Sequence, residues 1–277
     1  MHIKFERRVE YSKKTLIAVP VITIALSVLV SSILLLFLGK SVPLTMYSFF
    51  IAPFENFYSI TEIFLKFGPL LLIAQALAIG FRAKVWNIGA EGQMIMGAVA
   101  ASAVPVYLVD SSSIFLLPAM LVLGALGGMG WAGIAAFLRT RFNANEILVT
   151  LMLTSIALQV LYYLLLGPWK DPQGFNFPQT VMFQDEALFS PLFSGTRLNT
   201  SIIIPVLFTI AAWIFMEKRF GGFKLEVGGL APKAATYAGF SAKGAVWRSL
   251  LIAGFAAGLA GMSEVAGPIA QLQRSIT

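Results

Sequence analysis

No cysteine occurs in the 277 residues, and the single histidine, His2, stands second in the chain. The first absence removes disulfides, thiolate nucleophiles and cysteine metal sites, and it leaves the redox compartment unspecified. The second removes histidine-based catalysis and histidine ligation of a metal. Charge is scarce too: Lys, Arg, Asp and Glu make up 12% of the chain against 58% hydrophobic residues, with a mean hydropathy of +0.82. Soluble domains carry about 25% charged residues, so the main solvent of this chain is a bilayer. Two apparent motifs fail on spacing. "GKS" at 39–41 has Leu34 where a phosphate-binding loop needs its first glycine. "GFSAKG" around Ser241 lacks the G-x-S-x-G spacing of a nucleophile elbow. Neither an ATPase nor a hydrolase motif is present.

What is abundant is continuous apolar sequence in runs near the roughly 20 residues a spanning helix needs. The runs do not alternate as barrel strands do. We read an all-α polytopic membrane bundle with about seven spans, near 15–38, 62–80, 88–109, 114–138, 147–166, 199–216 and 247–268. The net charge of +7 is a topology signal before it is a nucleic-acid signal. With a cytoplasmic N-terminus, the inner segments collect Lys4, Arg7, Arg8, Lys13, Lys14, Arg82, Lys84, Arg139, Arg141, Lys218, Arg219, Lys224, Lys233, Lys243 and Arg248. The other side keeps Lys40, Lys66, Lys170, Arg197 and Arg274. This asymmetry accounts for the charge without nucleic acid. The first run follows "KFERRVEYSKK" but is longer than a signal h-region and lacks a clear small-x-small cleavage site, so it reads as a retained anchor.

Three regions interrupt the apolar pattern. The outer loop 167–199 is rich in proline, aromatics and polar residues, and loops of this length are commonly functional. It reads either as a lid or docking surface, or as an interfacial flap whose Trp169 and phenylalanines anchor at the headgroups. The inner loop 217–247 carries a short helix over 232–238, with Pro232 at its first position and Gly228, Gly229 and Gly239 as flexible brackets. Ala234, Ala235 and Tyr237 on that helix suit insertion into a partner's groove; a linker helix lying on the membrane is the alternative. The third region, "AKVWNIGAEGQMIMG" at 83–97, sets Asn87, Glu91 and Gln93 among glycines. Asn87 and Glu91, four residues apart, are expected on one helix face with Glu91 a turn deeper. A charge at mid-bilayer costs about 2.5–3.5 kcal/mol on the insertion scale, so Glu91 needs a partner or water. A gate and a structural clamp are both open for it.

Glu264 falls toward the outer half of the last span beside Ser263 and is likewise open between a pathway role and a structural one. Asn145 and Glu146 read as a cap and a first-turn acid, and Gln75 and Gln159 as hydrogen-bonding between helices. Gly124 and Gly128, with Gly254, Gly258, Gly261, Ala253 and Ala257, form small-residue faces for backbone-to-backbone packing.

"FRAKVWNIGAEGQMIMGA" resembles a signature of the permease subunits of bacterial ABC importers for nucleosides and simple sugars, within the branched-chain amino acid and ribose permease group. "NANEILVTLMLTSIALQVLYYLLLGPWKDPQGFNFP" is similar to the family's middle helix and external loop. "GGFKLEVGGLAPKAATYAGFSAKGAVWRSLLIAGFAAGLAGMSEVAG" is similar to its coupling loop and following helix. The blocks lie in family order over roughly residues 60–275. The resemblance implies a multi-pass permease domain over 1–277 in a bacterial plasma (inner) membrane, with 217–247 as its cytoplasmic coupling loop. It implies no covalent chemistry and no cofactor bound by this chain, ATP and Mg residing on a partner ATPase. The implied partners are that cytoplasmic ATPase, a second permease subunit in a heterodimer, an extracytoplasmic binding protein or lipoprotein, and membrane lipid. Pro232, Lys233, Ala234, Ala235, Thr236, Tyr237, Ala238 and Gly239 then form the coupling helix, and Asn87, Glu91, Gln93 and Glu264 are pathway or gating candidates.

Nucleosides are the cargo suggested by the loop "KDPQGFNFP", with ribose-type sugars as the alternative. Ala231 stands where relatives often have asparagine, which removes a cap. Relatives also continue beyond "QLQRSIT", so the 277 residues read as C-terminally incomplete. An ion-coupled secondary transporter using Glu91 and Glu264, or a non-transporting membrane scaffold, are the readings from other classes.

Overall fold

The computed structural model describes residues 12–109 and 112–274. His2 and the basic residues Lys4, Arg7 and Arg8, on which part of the orientation rests, lie outside the described residues. The chain divides into two compact units, Met1–Ile60 and Thr61–Thr277.

In the first unit, α1 runs Lys13–Phe37, and the Ser12 hydroxyl caps it by accepting from the Thr15 amide at 3.2 Å. A second helix, α2, Val42–Phe50, was not anticipated from sequence; a proline at its start supplies the helical φ in advance.

The second unit takes up most of α3 (Phe57–Arg82), then α4 (Ala90–Tyr107), α5 (Leu116–Phe142), α6 (Glu146–Leu166), α7 (Ile203–Lys218), α8 (Phe220–Leu230), α9 (Pro232–Tyr237) and α10 (Ala242–Val265). Asn145 caps α6 as expected, its Oδ1 accepting from the Ile147 amide at 2.9 Å. Among the described residues six helices are long and apolar enough to cross a membrane. The third expected span, 88–109, is not one of these six. It forms α4, of 18 residues, and eleven of them are buried inside the protein. Helix neighbours cover most of its surface, so its sequence need not be uniformly apolar.

The centre of this unit is the contact of α4, α5 and α10. A Cβ added at Gly97 would meet the Gly258 backbone; one at Gly128 would meet the Gly254 carbonyl, and one at Gly258 the Gly124 carbonyl. At Gly124 it would lie 2.8 Å from the Met262 Cβ, and at Gly261 it would strike the Met94 carbonyl. The expected small-residue faces are therefore in mutual backbone contact. Apolar burial from water contributes little to helix association within lipid, so dispersion between closely approaching backbones carries this core.

The unit has two chemically distinct ends. At one, Arg82 of α3 pairs with Glu217 of α7 at 3.4 Å, Arg139 of α5 with Glu146 of α6 at 3.1 Å, and Trp247 donates to Thr140 at 3.1 Å. This basic end gathers Arg82, Lys84, Arg139, Arg141, Lys218, Arg219, Lys224, Lys233, Lys243 and Arg248. The opposite end carries Lys66, Lys170, Arg197 and Arg274 among the described residues of this unit.

At that opposite end the long loop is not a loose flap, and its Trp169 is not a headgroup anchor. Its strand-like middle pairs with the segment after α10: Thr180 N–H donates to Leu272 O at 3.0 Å, Phe183 to Ala270 at 2.8 Å and Phe189 to Ala266 at 2.8 Å. Trp169 is buried, edge-on to Tyr107, and donates to the Tyr107 hydroxyl at 3.2 Å. Its indole N–H finds a protein partner, which removes the need for an interfacial position.

The close core predicts a sharp contrast between two glycines of α5. Gly128→Leu forces α5 away from α10 and lowers the melting temperature in detergent by more than about 10 °C, or abolishes folding. Gly130, beside which nothing lies within 4 Å, tolerates alanine with equal or higher melting temperature because the helix gains propensity. Thermal unfolding followed by size-exclusion chromatography reads both.

Candidate functional site

The chain turns between α3 and α4 through Lys84 at φ 55°, with the Val85 amide bonded back to Gly80 O at 3.0 Å. Asn87 therefore lies in an extended lead-in to α4 and not on the helix. Its side chain faces that of Gln93 in a reciprocal pair: Asn87 Nδ2 donates to Gln93 Oε1 at 2.9 Å, and Gln93 Nε2 donates to Asn87 Oδ1 at 3.1 Å. Asn87 Oδ1 also accepts from the Gly89 amide at 3.1 Å, while Thr150 of α6 accepts from the Ile88 amide at 3.2 Å. Both amide side chains are buried. Satisfying each other, they clamp the start of α4 at little desolvation cost.

Glu91 departs from expectation. It is exposed, and it has no hydrogen-bond or ion partner among the described residues. Because Asn87 is off the helix, no common face exists; Gln93 turns inward, and Glu91, two residues earlier, is rotated about 200° from it. Its carboxylate complements the positive first turn of α4 without being buried. Gly92 explains the lateral fit, since a Cβ there would lie 2.7 Å from the Thr154 Cα of α6.

Glu264 sits at the other end, near the last turn of α10, and is 5% exposed. Lys66 of α3 reaches it at 3.0 Å from a side chain that is 60% exposed. Four residues before Lys66, Glu62 is paired with Arg197 of the long loop, so one face of α3 holds both α10 and the loop. The four candidate residues thus form no single site: Asn87, Gln93 and Glu91 lie at the basic end and Glu264 at the opposite end, separated by roughly the 27 Å length of an 18-residue helix.

A polar feature on α6 escaped the sequence reading. Gln75 does bond between helices, to Thr209 of α7 at 2.6 Å. Gln159 does not: it is exposed, with no partner among the described residues. Ser155 and Tyr163, one turn to either side, are exposed as well. The three are spaced i, i+4, i+8 and share one face of α6 with the exposed Leu148, Met152 and Leu166, and that spacing was available in the sequence.

The connection at the basic end holds two helices where one was expected. Gly228 and Gly229 are not flexible brackets; they belong to α8, and a Cβ at Gly229 would collide with the Arg82 carbonyl. α9 then turns off at Ala231, which offers no side-chain cap, and starts with proline. Within α9, Ala235 is 4% exposed and Tyr237 is 96% exposed. Ala235 therefore packs inward, beside a cavity of about 220 Å³ shared with Lys84, Arg139 and Lys224, and Tyr237 is the side chain offered outward.

The profile described as "Branched-chain amino acid transport system / permease component" matches residues 59–273. The chain is 32% identical over 260 residues to the glucose ABC transporter permease protein TsgB13 of Haloferax volcanii, an alignment covering 90% of this chain and 67% of that one. It is 31% identical over 253 residues to the guanosine ABC transporter permease protein NupP of Bacillus subtilis, covering 90% and 72%. It is 28% identical over 259 residues to the nucleoside ABC transporter permease protein NupB of Lactococcus lactis, covering 91% and 71%. No solved structure matches the chain.

Removing Lys66 strands a buried carboxylate, which is more damaging than losing the pair altogether. Lys66→Met should lower the melting temperature by several degrees, and adding Glu264→Gln in the same chain should recover most of the loss. Thermal unfolding of the two variants checks this; additive losses would contradict the pairing.

Proposed function

The chain belongs to the branched-chain amino acid transport system permease family, and from that premise we propose that it is the pathway subunit of an ATP-driven importer of nucleosides. Membership makes it a multi-pass membrane permease and not an enzyme, with ATP hydrolysis on a separate subunit. It also implies a cytoplasmic ATPase and a substrate-binding protein as partners. We further assign a second permease subunit as heterodimeric partner, a bacterial plasma membrane with the basic end and N-terminus inside, and ATP with Mg on the ATPase. The charge asymmetry between the two ends supports that orientation.

The observation that carries the pathway assignment is the stripe Ser155, Gln159, Tyr163. An uncovered amide within a spanning helix is costly against hydrocarbon, and the cost vanishes against water or a polar cargo. A nucleoside presents hydroxyls and a heteroaromatic base, so a water-lined face with an amide, a hydroxyl and a phenol suits its passage. Glu91 is exposed at the inner end of α4. Asn87 and Gln93 hold the helix that carries Glu91, and Lys66 with Glu264 latches α3 to α10 at the outer end. Glu264 is therefore a latch residue and Asn87 and Gln93 are positioning residues.

For coupling, α9 with Pro232, Lys233, Ala234, Thr236, Ala238 and Gly239 forms the element the ATPase pushes, and Tyr237 is its contact. ATP biases two conformations only through contacts that differ between them, and a side chain projecting from a short helix can make such contacts. Ala235 serves the packing of α9 instead.

The names of NupP and NupB favour nucleosides. The name of TsgB13 favours glucose as a second reading.

The test is uptake of labelled guanosine, uridine, ribose and glucose into proteoliposomes holding this chain, its partner permease, the ATPase and the binding protein, with internal ATP and an uncoupler. Nucleoside uptake that needs hydrolysable ATP is expected. Uptake of glucose or ribose alone would transfer the assignment to sugars, uptake abolished by the uncoupler would indicate ion coupling, and no flux would leave a scaffold. In the same assay Gln159→Leu and Tyr237→Ala should each lower uptake about tenfold or more with unchanged melting temperature, the equivalent of one well-placed polar or interface contact.

A further inference from the structure

At the outer end of α6, next to Tyr163 of the polar stripe, an open crevice of about 500 Å³ lies between α6 and the two paired loop segments. Its walls include Tyr162, Phe177, Gln179, Gln273 and Arg274. A tight turn with Phe175 and Asn176 at positive φ delivers Phe177, which is 65% exposed. The Arg274 guanidinium stands 5.2 Å from the centre of the Tyr162 ring. Gln179 and Gln273 form an antiparallel bridge between the loop and the segment after α10. Behind them Gln271 Nε2 donates to Gln179 Oε1 at 3.3 Å and to Gln273 Oε1 at 3.4 Å. This arrangement engages both carbonyl oxygens and leaves both Nε2 groups without an acceptor among the described residues.

We propose that this crevice is an entry subsite for the base of a nucleoside, and that it favours bases presenting an acceptor edge, as 6-oxopurines do. The proposal rests on the nucleoside assignment above. Two aromatic rings flank a space open to solvent, and aromatic platforms stack heteroaromatic bases whatever their identity. Most of the polar groups left free are donors, two amide N–H₂ groups held in orientation by Gln271 and a guanidinium, while the Tyr162 hydroxyl can donate or accept. The O6 and N7 of a 6-oxopurine are two adjacent acceptors that arginine meets in bidentate fashion. Adenine replaces O6 by an amino donor, which opposes these donors and leaves N7 as the one acceptor on that edge. A free sugar lacks a heteroaromatic plane to stack on the rings, and its hydroxyls donate as readily as they accept. A simple carboxylate would satisfy Arg274 and leave both rings unused. Gln159 and Tyr163 lie beside the crevice, each one residue on from its Leu158 and Tyr162 wall and about 100° around α6.

Equilibrium binding of tritiated inosine, adenosine and ribose to the assembled transporter in nanodiscs, without the binding protein, tests the assignment, using wild type, Phe177→Ala and Arg274→Gln. Inosine should bind at least about tenfold more tightly than adenosine. Phe177→Ala should weaken both nucleosides about tenfold, the worth of one stacking platform, and Arg274→Gln should erase the preference for inosine. Both exchanged residues are exposed, so the fold tolerates the changes. Equal binding of inosine and adenosine by wild type, or wild-type binding in both variants, overturns the subsite while nucleoside uptake in proteoliposomes still stands. Binding of ribose and of no nucleoside overturns the subsite together with the nucleoside assignment.

Discussion

The contact of α4, α5 and α10 through glycine is the constraint from which the remainder follows. Within lipid there is little gain from hiding apolar side chains, so stability comes from the closest approach the backbones can make. Gly97, Gly124, Gly128, Gly254 and Gly258 permit that approach, and carbonyl oxygens come to lie against Cα atoms of the facing helix, a geometry in which weak Cα–H···O contacts add to dispersion. With α4 enclosed by protein, its first turn can hold an amide clamp and an acid. With α10 fixed, Glu264 is held where, among the described residues, Lys66 is its ion partner. A packed core of this kind has few alternative arrangements, so conformational change falls to the parts around it.

Two such parts are distinguished by what they leave uncovered. α6 joins the core through Thr150, Thr154, Ala157, Leu161 and Leu165, and its other side presents Ser155, Gln159 and Tyr163 beside Leu148, Met152 and Leu166. α9 is attached through Ala235 and leaves Tyr237 almost fully exposed. One lies along the bundle and the other at its basic end, as a pathway wall and a coupling element would. The ion pairs are divided between the ends: Arg82 with Glu217 and Arg139 with Glu146 at one, Lys66 with Glu264 and Glu62 with Arg197 at the other. Rearrangement at either end can therefore break one set and leave the other.

The helical bundle, the small-residue faces, the Asn145 cap and the proline start of α9 were all readable, because each depends on local pattern or on composition. Glu91 was misplaced because its burial depends on where α4 begins, and a non-glycine residue at positive φ, Lys84, decides that; no periodicity signals it. Trp169 was misplaced because a partner 62 residues away, Tyr107, satisfies its indole. α8 was missed because Gly228 and Gly229 looked like breakers, whereas Gly229 is required by the carbonyl of Arg82 pressed against it. The exposure of Gln159 was legible, because its i, i+4, i+8 spacing with Ser155 and Tyr163 places all three on one face of α6.

The absence of cysteine offers a direct test of the central claim, that the uncovered face of α6 lines an aqueous pathway. Gln159→Cys would be the sole thiol in the chain, with Gln173→Cys in the exposed loop and Leu161→Cys in the buried core as references. Labelling of the assembled transporter by a membrane-impermeant thiol reagent should modify positions 159 and 173, spare 161, and slow at 159 when nucleoside is present. If 173 reacts and 159 is as inert as 161, the face of α6 is covered by lipid or protein, and the pathway lies elsewhere.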